Sequence, residues 1–267
     1  MDLFEAEHTL PLDPAELQRA GLRLDVDGAV ATISLARPER RNALTFSTWH
    51  TLARIGETLP ETVRVVVVRG DGPSFSAGID LRLFSPEGVP GEDTSGPRDE
   101  EFIAGLQAGY LWLRRPDIVS IAAVQGHAIG GGFQLALSCD LRVVADDVKF
   151  AMKEPALGIV PDLTGTKPLV DIVGVPRALE ICLTTRTVFA EEAARLGLAE
   201  LVVPAAELDS AVADLVAAIL QVPPATAAAT KRLIRQAPHN TLAEQAAAER
   251  REQVPLLGDP AGASPAS

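Results

Sequence analysis

The sequence predicts an α/β core closed by a helical C-terminal region. Three observations carry that class. Continuous apolar runs, VRVVVVRG (63–70) and DIVSIAAVQG (117–126), read as fully buried strands. Segments of helical periodicity lie between and around them, as in LTFSTWHTLARIGETLP (44–60) and FIAGLQAGYLWLRR (102–115). From about residue 162 onward, helical patterns dominate. The order is strand, strand, helix, repeated and then followed by helices, which is not one clean alternating series.

Each element has a local reason. LRLDVDGAVATISLARP (22–38) is two β-rich runs around Asp27-Gly28, a hairpin signal. The helical pattern of 44–60 stops at Pro60. The strand at 63–70 leads into the loop DGPSFSAGID. SPEGVPGEDTSGPRDEE (85–101) is rich in proline, glycine and acid and is expected to be a mobile loop. In AIGGGFQLALSCDL (128–141) three glycines lead into an apolar helix whose only polar side chain in the first turn is Gln134. LRVVADDVKFAM (141–152) holds two short strands around Asp146-Asp147. Helices are expected at 164–173, 176–183, 190–196, 205–220, 224–236 and 240–252, with a frayed tail from Pro255. No repeat shows in the sequence itself.

Bulk composition excludes several classes. A chain of 267 residues, 47% hydrophobic and 22% charged, is ordinary globular material with ample core. A formal net charge of −12 argues against nucleic-acid binding, which needs a basic face. It leaves room for a small anionic ligand held by local arginines. Two cysteines, Cys139 and Cys182, cannot build a disulfide framework and read as buried thiols. The four histidines, His8, His50, His127 and His239, show no metal spacing, so no metal site is expected. No apolar run reaches the length of a membrane span, and MDLFEAEHTL lacks a signal pattern. SPAS is not a peroxisomal address, which leaves a cytoplasmic expectation.

Two glycine loops follow buried strands: Ser76-Ala77-Gly78-Ile79-Asp80 and Gly130-Gly131-Gly132. Neither has the spacing of a dinucleotide fingerprint or a phosphate loop. Either can be a simple tight turn. Glycine also permits close backbone approach and leaves free N–H groups at a helix start. Two such groups facing one point form an oxyanion hole, which stabilises the negative charge on a thioester oxygen when its α-proton is removed.

ARPERRNAL (36–44), FSAGIDL (75–81) and the long segment from Ile121 to Thr166 occur in one order. Together they resemble the enoyl-CoA hydratase/isomerase (crotonase) superfamily over roughly residues 22–200. The resemblance implies a spiral of ββα repeats, a C-terminal helical trimerisation region, an acyl-CoA thioester as substrate and no separate cofactor. It divides the chain into an N-terminal extension (1–20), a spiral core (21–203), an oligomerisation region (204–254) and a flexible tail (255–267). A homotrimer or a dimer of trimers is expected.

Carried over position by position, the resemblance places the oxyanion donors at Ile79 and Gly131. Hydratases of the family use two glutamates twenty positions apart; the first falls on Gln134 and the second on Glu154. An amide cannot accept and return a proton near neutral pH. Movement of a double bond by one carboxylate is therefore favoured over two-carboxylate water addition. Asp162 stands eight positions after Glu154, where a dienoyl-CoA isomerase branch carries an aspartate, although that branch has an acid at the position of Gln134. Asp162 either caps a helix beginning near Leu163 or joins Glu154 in proton transfer. Glu154 itself, beside Lys153, is otherwise a plain surface carboxylate.

The resemblance puts Ala77, Gly78, Asp80, Leu81, Gly130 and Gly132 against the acyl-CoA. Arg40, Arg41 and Arg82 flank these loops and either meet its phosphates or are ordinary solvated arginines. Lys231 is a weaker candidate contact from the C-terminal region. His127 is expected to pack or to bond within its loop. The rivals to an isomerase are a hydratase in which Gln134 positions water, and a non-catalytic acyl-CoA-binding protein.

Overall fold

The computed structural model of the chain describes residues 12–258. Helix α1 (Pro14–Arg19) comes first, started by the Asp13 carboxylate accepting from Ala15 N–H and by proline at its first position. It lies in the segment read as an extension, and at six residues it is too short for periodicity to reveal. Strands β1 (Leu22–Asp27) and β2 (Val30–Leu35) form the expected hairpin. Asp27 pairs with Val30, so Gly28 and Ala29 make the turn, with Gly28 at φ 55°. Helix α2 (Phe46–Thr58) starts in a reciprocal capping box between Thr45 and Thr48. Strand β3 (Val65–Gly70) and α3 (Glu100–Leu111) follow, the latter capped by Asp99. Residues 85–99 between them hold no helix or strand.

Next come β4 (Val119–Val124), β5 (His127–Ile129), α4 (Gly131–Ser138), β6 (Leu141–Ala145) and β7 (Lys149–Ala151). Helix α5 (Thr166–Thr184) is bent at Gly174, which is not helical and stands two residues before Pro176. The two helices expected there are the arms of this bend. The chain ends with β8 (Val188–Phe189), α6 (Ala190–Leu196), β9 (Leu201–Val203), α7 (Leu208–Leu220), α8 (Pro224–Gln236) and α9 (Leu242–Gly258).

Two sheets organise these elements. The larger runs β1-β2-β3-β4-β6-β9, antiparallel only at the hairpin. The smaller runs β5-β7-β8. Successive units β4-β5-α4 and β6-β7-α5 each give one strand to each sheet, and β9 and β8 extend the same assignment. Isolated bridges Ser76 to Ala128 and Leu44 to Ile79 continue the small layer toward the hairpin. This is the spiral that the resemblance implies.

The parallel strands are buried on both faces. Val66, Val68, Ala122, Val124 and Val144 face the main core, while Val65, Val67, Ile121, Ala123 and Val143 face α7 through Leu208 and Val212. That double burial explains why these strands read as unbroken apolar runs.

Two expectations need correction. The frayed tail does not start at Pro255, because α9 continues through it to Gly258; residues 259–267 lie outside the described residues. Pro255 removes one N–H from the helix ladder without ending the run. Cys139 is buried, but Cys182 is only partly so, since α5 turns Val175, Leu179 and Leu183 outward. Among the described residues no single helix is long and apolar enough to cross a membrane.

Candidate active site

The first glycine loop is stitched on both sides. Ser76 N–H donates to His127 O (2.8 Å), and Ile129 N–H donates to Ser76 O (2.9 Å). Leu44 N–H donates to Gly78 O and Asp80 N–H to Leu44 O, both at 2.8 Å. These bonds hold the residues on either side of Ile79 and leave its own N–H without an acceptor among the described residues. Gly131 is the first residue of α4, so its N–H has no partner within the helix and lies at the positive end of the helix dipole. The two loops touch. A Cβ on Gly78 would sit 2.5 Å from Ile129 O, and one on Gly132 would sit 2.6 Å from Ser76 Cβ. The glycines are what permit the approach.

Ile79, Gly131, Glu154 and Asp162 line one cavity of about 480 Å³. Its walls are mostly apolar, including Phe46, Trp49, Phe84, Phe102 and Leu106. Tyr110, fully buried beneath, donates its hydroxyl to Gly131 O (2.8 Å) and fixes the turn of α4 from behind.

Gln134 does not face the cavity with a free amide. It is completely buried, and every polar atom of its side chain has a role. Its Nε2 donates to Glu154 Oε1 (2.7 Å). Its Oε1 accepts from Leu163 N–H (2.9 Å) and Gly165 N–H (3.1 Å). Thr164, between those donors, adopts the left-handed conformation (φ 66°), which is uncommon for such a residue and turns both neighbouring N–H groups onto one oxygen. These bonds settle which end of the amide is nitrogen.

Glu154 opens a short 3-10 turn (Glu154–Leu157) and is 6% exposed, so it is not a surface carboxylate. Its Oε1 is held by Gln134, and its Oε2 is buried with no partner among the described residues. A Cβ on Gly130 would lie 3.1 Å from Oε1, so the carboxylate sits over the turn that presents Gly131. Burial pushes the Glu154 carboxyl above its usual range; the charge of Asp162 adds to this, and the Gln134 hydrogen bond opposes it. Burial raises Asp162 as well. Asp162 is not a helix cap: α5 begins four residues later, at Thr166, with Gly165 at the cap position. The Asp162 backbone carbonyl instead accepts from Gln107 Nε2 (2.6 Å).

The other expected ligand contacts divide. Ala77 and Gly78 belong to the stitched loop, and Gly130 and Gly132 to the α4 turn. Arg40, Arg41 and Leu81 are exposed beside these loops. The Asp80 side chain is engaged by two arginines. It pairs with Arg82 (2.7 Å) and with the little-exposed Arg37 (3.0 Å), and Arg82 leads in holding its carboxyl well below the usual range. Arg37 also donates to Ala43 O (2.7 Å), so this unanticipated residue ties the segment before α2 to the end of the first glycine loop. Three neighbouring arginines in one short sequence gave no sign of which one would turn inward.

Lys231 requires correction. Its Nζ donates to Arg115 O, Ile118 O and Asp140 Oδ2, each at 2.6 Å, which uses all three of its protons. It does not line the cavity that holds Glu154. His127 bonds within its loop, Nδ1 to Ser74 Oγ at 3.2 Å. Among the described residues no group of three His, Cys, Asp or Glu gathers as a metal site.

Comparison with known proteins finds relatives over most of the chain. The family model described as enoyl-CoA hydratase/isomerase matches residues 25–257. A probable enoyl-CoA hydratase of Mycobacterium bovis is 31% identical, over 84% of this chain and 85% of its own. A carnitinyl-CoA dehydratase of Escherichia coli is 35% identical, over 80% of each chain. A Thermobifida fusca protein provisionally assigned as an enoyl-CoA hydratase, solved with CoA, is 57% identical with a TM-score of 0.89, covering 94% of this chain and 98% of its own. The same assignment in complex with acetoacetyl-CoA gives 56% identity and a TM-score of 0.88, covering 92% and 98%.

Proposed function

The chain belongs to the enoyl-CoA hydratase/isomerase family, and from that premise we propose that it relocates a carbon–carbon double bond in an enoyl-CoA thioester. The observation that carries this reading is the direct hydrogen bond from Gln134 Nε2 to Glu154 Oε1. It occupies the space between the two positions where water addition needs a pair of carboxylates. It also leaves Glu154 Oε2 as the one open oxygen of that carboxylate.

In this mechanism the thioester oxygen lies between the N–H groups of Ile79 and Gly131. Their preorganised dipoles stabilise the enolate that forms when the α-proton leaves. Oε2 of Glu154 takes that proton and returns it to the γ-carbon. The raised carboxyl of Glu154 suits a group that must hold a proton in mid-reaction. Asp162, raised by burial in the same cavity, is the second carboxyl within reach of the acyl chain. Proton transfers of this kind require no further cofactor. The bound CoA and acetoacetyl-CoA of the Thermobifida fusca structures support an acyl-CoA as the ligand.

A second reading is water addition, with Glu154 performing both proton steps. The hydratase and dehydratase names of the relatives favour it. The two are separated by incubating a 3-enoyl-CoA and crotonyl-CoA with the protein. Conversion of the first to the conjugated isomer, with no loss of the conjugated absorbance of the second, supports isomerisation. Rapid loss of crotonyl-CoA absorbance without isomerisation supports hydration, and tight binding with neither reaction supports a binding protein.

The same reading includes a homotrimer or a dimer of trimers. Val175, Leu179 and Leu183 are spaced four residues apart on α5 and are 55%, 53% and 71% exposed, an apolar stripe suited to burial between copies. Light scattering at micromolar concentration checks it; a stable monomer contradicts it.

A further inference from the structure

Among the described residues the wall of the cavity contains one positive charge, Arg98. It stands on the segment before α3, and its guanidinium carbon lies 5.0 Å from the ring centre of Phe84 and 5.7 Å from that of Phe46. One Nη donates to Leu83 O (3.3 Å). These contacts hold the charge over two aromatic faces at the cavity wall. Among the described residues it forms no ion pair. Nearby acids have other duties: Asp99 accepts from Phe102 N–H to start α3, and Glu92 accepts from Ser47 N–H at the start of α2. Arg98 makes no ion pair with Glu154 or Asp162 either, and burial governs both of those acids.

A methyl-terminated chain laid along Phe46, Phe84 and Phe102 would strip water from the guanidinium and return nothing. A chain ending in a carboxylate would return a charge-assisted hydrogen bond. We infer that Arg98 is a recognition site for an anionic group at the far end of the acyl chain, so that the preferred substrates are thioesters of dicarboxylic acids. This rests on the acyl-CoA reading of the cavity and deepens it to a substrate class. The phosphates of CoA offer the same chemistry, so the test includes free CoA.

The experiment is calorimetric binding of saturated thioesters, which cannot isomerise or add water. Succinyl-CoA through sebacoyl-CoA are compared with butanoyl-CoA through decanoyl-CoA at equal chain length. The expected result is at least about tenfold tighter binding of the carboxylate-terminated member at one or more lengths. Arg98→Gln, on an exposed loop, abolishes that preference, and Arg98→Lys restores part of it. Equal affinity at every length, or a preference unchanged in Arg98→Gln, overturns the proposal. Equal weakening of free CoA and of both thioester series by Arg98→Gln also overturns it, because the charge then meets a phosphate. Since no chemistry is involved, a failure of the isomerase reading leaves this result standing, and the converse holds.

Discussion

Replacing Gln134 by methionine keeps the length of the side chain and removes both halves of its amide. Glu154 then loses the side-chain hydrogen bond to its charged form, the Nε2 contact at 2.7 Å, and keeps only backbone support. That bond lowers the Glu154 carboxyl against the raising effects of burial and of Asp162. A hydrogen bond to a charged group contributes about 1.5–3 kcal/mol, equivalent to about one to two pH units. On the proposed assignment the proton-transferring base must be ionised, so activity rises with pH along an acid limb set by Glu154. In Gln134→Met that limb moves to higher pH by about one to two units. The assay is exchange of substrate α-protons with deuterated solvent, followed from pH 4 to 9 (an assay range chosen to bracket ordinary carboxylates). Methionine also strands the N–H groups of Leu163 and Gly165, at about 1–3 kcal/mol each, so a variant that keeps the acceptor is needed. Gln134→Glu does so, and it forces two carboxyl groups to share one proton across the former hydrogen bond. Its exchange limb also moves upward and divides into two apparent steps. An acid limb that superimposes on the parent in both folded variants refutes the assignment of Glu154 as a base tuned by Gln134.

Gly131→Pro deletes the N–H proposed as one oxyanion donor, at a first helical position where proline is tolerated; the barrier to turnover rises by about 3 kcal/mol, and undiminished turnover in a folded variant contradicts the hole. Gly131→Ala keeps the N–H and meets Leu163 and Trp49 at 3.3 and 3.4 Å, so it reports the steric share of that loss. Lys231→Met lowers stability by up to about 3 kcal/mol in thermal unfolding, because Asp140 loses a largely buried cation and keeps Arg235 and its hydrogen bonds from Ser120. Its affinity for free CoA stays unchanged, and a weakened affinity contradicts the correction made above. Stability carries its own pH signature: Glu154 and Asp162 are raised on folding, so their burial is least costly while both are neutral. Their contribution is lost as pH rises through the raised carboxyl range, and Glu154→Gln with Asp162→Asn flattens that part of the denaturant-midpoint profile.

Sequence patterns exposed the layers well, for physical reasons. Strands β3 and β4 are apolar on both faces and so stand out as runs, and the hairpin carries its own turn glycine. β5, β8 and β9 have three residues or fewer, too few for any period to register. Positions 79, 131, 134, 154 and 162 were found by resemblance, yet what Gln134 does was not legible. Its three partners lie 20, 29 and 31 residues away and meet it only through the turn at Thr164. Lys231 illustrates the reverse. A lysine on an amphipathic helix looks available, and only the packing of α8 beside Asp140 and two open carbonyls uses it up. Arg37 was hidden among neighbouring arginines for the same reason: which one turns inward depends on Asp80, 43 residues away.

The central claim is that Glu154 Oε2 moves a proton between two carbons of an enolate held by Ile79 and Gly131. Mass spectrometry of a 3-enoyl-CoA incubated in deuterated water tests it most directly, comparing the parent protein with Glu154→Gln. That variant keeps the size of the side chain and removes the base. The account predicts deuterium at both the α- and γ-carbons with the parent, and incorporation reduced by at least about a hundredfold with Glu154→Gln. Equal incorporation by the folded variant, or labelled 3-hydroxyacyl-CoA as the sole product of the parent, contradicts it.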